Sequence, residues 1–141
     1  MKHIPQKIDH LGIAVNSIEE QLPLYTTGFG LKIIHEEVIE DQKVRAVFIE
    51  VGESCVELLE PTSPESPIAK FLEKKGQGIH HVAYAVEDVE AALAHAKEQG
   101  YRLIDEKPRR GGHGKLIAFL HPKETFGVLT EFCQKIEEGN H

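Results

Sequence analysis

Asp9-His10-Leu11-Gly12-Ile13-Ala14-Val15 returns as His80-His81-Val82-Ala83-Tyr84-Ala85-Val86, at an offset of 71 residues (81 minus 10). The match runs on from there. Ser17 falls on Asp88, Ile18 on Val89, Glu19 on Glu90 and Leu22 on Leu93. One residue shorter, Gly30-Leu31-Lys32-Ile33-Ile34 lies over Gly100-Tyr101-Arg102-Leu103-Ile104. Phe48 then meets Phe119, and Val56-Glu57-Leu58 meets Thr130-Glu131-Phe132 at an offset of 74 (131 minus 57). A drift of a few residues over half the chain marks an internal duplication, which decides the architecture before any single element is assigned.

Each copy opens on a Val/Ile-rich run with the alternation of a strand, over 8–15 and 79–86. A capped helix follows, with Ser17-Ile18-Glu19-Glu20 as a capping box and Asp88 with Glu90 in the matching first turn. Pro23 weakens the first of these helices, because proline has no N–H to give to a helix interior. Three more strands complete each copy, at about 31–38, 43–51 and 55–60, then 101–106, 115–121 and 126–133. Between the copies, Ser66-Pro67 reads as an N-cap and first helical residue, and Gly76 closes a short helix. The reading is one α+β domain over 1–141: a βαβββ module at about 7–62, a linker helix within 63–76, and a second βαβββ module at about 78–134.

Strand side chains alternate between faces. Leu11, Ile13 and Val15 share the face that packs under a helix, and Val82, Tyr84 and Val86 share its counterpart. The opposite faces carry His10, Gly12, Ala14 and His81, Ala83, Ala85. A core normally fills its volume, so a histidine followed by two small residues keeps room for a ligand. Glu57 and Glu131 form the other matched pair, each inside an apolar strand, where an unpaired carboxylate is expensive to bury. Matched His and Glu in both halves make a divalent metal the economical explanation, and two imidazoles with two carboxylates suit Zn²⁺, Co²⁺, Ni²⁺, Fe²⁺ or Mn²⁺. Cys55 and Cys133 share the glutamates' face, either as thiolate ligands or as small packed apolar groups. His80 points the other way from His81 and is expected to be no ligand.

The formal charge of -7 excludes nucleic acid as the main partner, since phosphate neutralisation needs clustered cations. No apolar run reaches the ~18 residues of a membrane span. The first seven residues carry no signal core, and two cysteines are too few for a disulfide scaffold. The expectation is a cytoplasmic domain. Arg109, Arg110, His113, Lys115 and Lys123 still gather positive charge in and near a Gly-rich stretch, enough to meet a phosphorylated ligand.

Paired βαβββ modules carrying His10, Glu57, His81 and Glu131 resemble the vicinal oxygen chelate superfamily. Outside that set, Glu57-Leu58-Leu59-Glu60-Pro61, Ser66-Pro67-Ile68-Ala69, His113-Gly114-Lys115 and Phe119-Leu120-His121-Pro122-Lys123 narrow the resemblance to its methylmalonyl-CoA epimerases. The resemblance implies a curved, partly open eight-stranded sheet around one divalent ion, Co²⁺ by preference, with Zn²⁺, Ni²⁺ or Mn²⁺ as alternatives. It implies proton transfer at the α-carbon of a chelated thioester, with Glu131 and Glu57 as the acid–base candidates. It further implies CoA phosphates near Arg110, His113, Lys115 and Lys123, and a homodimer. Some family members carry a further basic glutamate where this chain has Ala46, and Glu50, of the same parity, lies four residues on. A glyoxalase-I-like isomerase or lyase and a metal-free antibiotic-binding protein are the alternative readings.

Overall fold

The computed structural model describes residues 1–136 and resolves them into two compact units. One is His10–His80; the other joins Met1–Asp9 to the chain from His81 onward. In the first unit β1 (Lys7–Ala14), α1 (Ile18–Pro23), β2 (Lys32–Ile39), β3 (Val44–Val51) and β4 (Ser54–Pro61) follow one another, and α2 (Pro67–Lys75) comes after them. The strands lie in the order β2-β3-β4-β1, with β1 and β4 parallel and the other pairs antiparallel. The second unit has β5 (Gly78–Ala85), α3 (Val89–Glu98), β6 (Arg109–Arg110), β7 (Lys115–Leu120) and β8 (Thr130–Lys135). Its order is β5-β8-β7-β6, and again the first and last strands of the copy, β5 and β8, pair in parallel. The duplicated α+β plan read from the sequence is therefore the plan of the fold.

Local chemistry explains the helices. Ser17 Oγ accepts from Glu20 N–H, Asp88 accepts from Ala91 N–H, and Ser66 Oγ accepts from Ile68 N–H, each satisfying a donor that the first turn leaves without a partner. After Gly76, at φ 77°, α2 cannot continue. α1 lasts six residues, and from Pro23 the chain widens into a π-turn over Leu24–Gly28. The cores form where the alternation placed them. Val15, Ile18, Val47, Ile49 and Leu58 close under α1, and Val86, Val89, Ala92, Leu93 and Ala118 close under α3. On the opposite face of the first unit, Ile68 of α2 covers Ala14, Val44, Ala46 and Leu59. Part of the small-residue face is thus core, and the remainder carries His10, Gly12 and Glu57.

Two expected elements differ. Residues 101–106 form no strand beyond a single bridge from Leu103 to Leu120; the second copy's edge strand is Arg109–Arg110. The Asp105 carboxylate takes the Phe119 N–H that a neighbouring strand would use, and Pro108 has no N–H to offer. Strand β8 starts at Thr130 rather than 126, because Phe126 and Gly127 hold positive φ and turn the chain. Within the Gly-rich stretch 108–112, Arg109 and Arg110 make that edge strand by pairing with Ile117 and Leu116.

Candidate metal centre and active site

Each unit builds the same triad from its own strands. In the first, parallel register sets Gly12 of β1 beside Glu57 of β4, so His10, two residues earlier and on the same face, reaches the carboxylate. His10 Nε2 lies 3.3 Å from Glu57 Oε1. Phe48, cross-strand from Glu57, sets its ring edge-on to the imidazole at 6.3 Å. In the second, Ala83 stands beside Glu131, His81 Nε2 lies 3.3 Å from Glu131 Oε1, and Phe119 lies cross-strand from the glutamate. The His81 and Phe119 rings meet edge-on at 5.7 Å. Gly12 and Ala83, beside the glutamates in register, put small residues on the donors' face.

All four donors are buried, at 5% exposure or less. The question is whether they fit a cation. An ionised pair in direct contact would close to about 2.7–2.9 Å, whereas two ligands at about 2.1 Å from one ion stand roughly 3.0 Å apart in octahedral and 3.4 Å apart in tetrahedral geometry. The 3.3 Å separation found in both units falls in the second range. Neutral imidazole nitrogen and carboxylate oxygen are also the donors borderline divalent ions take. The donors of each His–Glu pair fit such an ion.

Burial, then the Asp9 and Glu131 carboxylates, push the Cys133 thiol far above its ordinary range. His80, kept apart from the ligands on parity, sits edge-on to Phe71 at 5.0 Å, and burial followed by Lys75 lowers its pKa to about 4. Ala46 is wholly buried in the cluster under α2, and Glu50 is exposed near the end of β3.

The cationic candidates divide. Lys115 Nζ is held by both Asp9 oxygens at 2.6 and 2.8 Å, a contact the sequence did not suggest because 106 residues separate the partners. Lys115 and His113 line a pocket of about 380 Å³ with Lys7, Asp9, Cys133 and Lys135, while Arg110 and Lys123 lie outside its lining. His113 is held at φ 58°, uncommon for a residue with a side chain, and the turn ends at Gly114. Arg109, paired with Asp105 at 3.2 Å, lays its guanidinium over the Phe119 ring.

The sequence profile of the Glyoxalase/Bleomycin resistance protein/Dioxygenase superfamily matches residues 9–119. The mitochondrial methylmalonyl-CoA epimerase of Homo sapiens is 36% identical over 91% of this chain and 73% of its own length. The chain belongs to the methylmalonyl-CoA epimerase family within that superfamily. It is accordingly an isomerase of the epimerase class. The uncharacterized protein YqjC of Bacillus subtilis (strain 168) is 44% identical over 91% of each chain. A methylmalonyl-CoA epimerase solved in complex with methylmalonyl-CoA and NH4+ superposes with a TM-score of 0.89 at 38% identity, covering 94% of this chain and 96% of its own. The glyoxalase-like fold implied by the resemblance is thereby shown.

Proposed function

We propose that this chain interconverts the two epimers of methylmalonyl-CoA, with one divalent ion held jointly by His10, Glu57, His81 and Glu131. The observation that carries the reading is the duplicated His–Glu pair, buried and spaced alike in both units, in a chain of the epimerase family. Co²⁺ is the favoured ion on resemblance, with Zn²⁺, Ni²⁺ and Mn²⁺ as alternatives, and when bound it supplies Lewis-acid stabilisation of the enolate oxygens, worth several kcal/mol.

The remaining work falls to side chains. The acidic C–H lies between a thioester carbonyl and a carboxylate, so a base on one side removes the proton and an acid on the other returns one. Each transfer contributes roughly 10²–10⁴-fold. Glu131 takes one of these roles, and Glu57 is the second acid–base candidate among the ligands. Phe48 and Phe119 keep their imidazoles oriented and water away from them. Arg110, His113, Lys115 and Lys123 serve the CoA phosphates; for Lys115 this means exchanging its Asp9 contact for the ligand. By analogy with the superfamily the working form is a homodimer, and two cysteines, too few for a disulfide scaffold, suit a reducing compartment such as the cytoplasm.

The test is α-proton exchange. Metal-loaded protein is mixed with methylmalonyl-CoA in D₂O and the α-proton followed by NMR. Exchange that is lost with a chelator and with Glu131→Gln supports the proposal. A fully metal-loaded protein that exchanges nothing refutes the substrate assignment.

A further inference from the structure

Epimerisation needs a proton-transfer group on each side of the α-carbon. Ala46 supplies none, and it lies buried under α2. The strand beside it does. Register between β2 and β3 shifts between Ile33 and His35, so that Ile33 pairs with Ile49 but His35 pairs with Phe48 and Glu37 with Ala46. Without that irregularity Ile34 would stand beside Phe48 and Glu36 beside Ala46. Bulges of this kind re-aim side chains near active sites. Here the bulge turns His35 and Glu37 to the face that holds His10, Phe48 and Glu57, and leaves Glu36 and Val38 exposed on the other.

The two side chains are joined. His35 Nε2 is 2.6 Å from Glu37 Oε1, the His35 ring lies 5.7 Å from that of Phe48, and Phe48 lies 6.3 Å from His10. A pair about one-third exposed, at 34% and 31%, adds little stability. Stability alone therefore gives little reason to build it on a bulge facing a metal-ligating histidine. What the arrangement does offer is an oriented carboxylate with an imidazole able to relay its proton.

We propose that Glu37, oriented by His35 and lying directly cross-strand from the alanine at position 46, is the second proton-transfer group in place of the ligand Glu57. The assignment rests on the epimerase reading above. For one epimer the Glu37 carboxylate takes the α-proton, the C–H electron pair passes into the thioester enolate, and a proton from the acid on the opposite side bonds to the same carbon. For the other epimer the direction reverses, and Glu37, protonated, returns the proton.

Glu37→Gln tests it, with Glu36→Gln on the outer face of β2 as the control and metal content and circular dichroism as checks on folding. The expected result is a fall in epimerisation of roughly 10²–10⁴-fold, while one epimer still exchanges its α-proton with D₂O without inverting and the other does not exchange. His35→Gln should give a milder loss of the same one-sided kind. Inversion by Glu37→Gln at the parent rate overturns the assignment and leaves the epimerase reading standing. So does an equal loss of exchange from both epimers in a folded, metal-loaded variant. A parent protein that exchanges neither epimer brings down both.

Discussion

Stripping the metal should lower the melting temperature by an amount that either histidine variant abolishes. An ion present at about 100 times its dissociation constant stabilises the folded chain by about 2.7 kcal/mol if the unfolded chain does not bind it. Unfolding entropy near 60 °C is about 2.1 cal/mol/K per residue, so a chain of 141 residues has about 0.3 kcal/mol/K, and the shift comes to about 9 °C. In His10→Ala or His81→Ala the ion loses one of two matched pairs, each closed at 3.3 Å, and the metal-dependent shift should vanish. The metal-free variants start from a melting temperature of their own, so the informative quantity is the increment on adding metal. Differential scanning calorimetry with and without Co²⁺, beside metal analysis of the purified protein, reads both. One ion per chain and loss of the increment in both variants are expected. Two ions per chain, or an increment that survives in either variant, would mean that each unit binds alone and that the four-ligand proposal is wrong.

Three further outcomes can be checked. A Cβ on Gly111 would lie 2.8 Å from Ile117 Cδ1 and Cγ2, so Gly111→Ala should cost about 1–3 kcal/mol; adding Ile117→Ala should relieve the clash, and strictly additive losses in urea titrations would contradict it. Asp88→Ala removes the acceptor for Ala91 N–H and should cost about 1 kcal/mol in the same assay, with an unchanged midpoint counting against the cap. His80, lowered to about 4 from an ordinary 6.5, stays neutral in the folded chain while the unfolded chain takes up a proton below pH 6.5. Its contribution is therefore fully present above pH 6.5 and is lost as the pH falls towards 4, by up to about 3 kcal/mol. His80→Gln should flatten that part of the stability–pH curve, and parallel curves for the two proteins would refute the assignment.

What the sequence disclosed, and what it hid, follows from the range over which each feature is specified. That His10 shares a face with Glu57, and His81 with Glu131, was legible because a strand's period of two fixes a side chain's face within a few residues, and the duplication supplied each face twice. Caps at Ser17, Ser66 and Asp88 were legible for the same reason, since a cap is written within four residues. The Asp9–Lys115 contact was not, because no local pattern joins residues 106 positions apart. Residues 101–106 matched the first copy's edge strand in composition, yet a side-chain carboxylate, Asp105, took the N–H that a ladder would have used.

The bulge at Ile34 is the most instructive of the hidden features. Alternation carried unbroken from Lys32 assigns Ile34 and Glu36 to the inner face, and only the register shift gives that face to His35 and Glu37. Unbroken alternation therefore fails where the backbone was altered to bring a reactive pair inward. Duplication supplied two matched His–Glu–Phe triads. Turning one epimer into the other requires a proton acceptor on one side of the substrate carbon and a donor on the other, roles that two carboxylates fill by differing in protonation. A divergence confined to one copy, on the strand next to its triad, is where that requirement would be met.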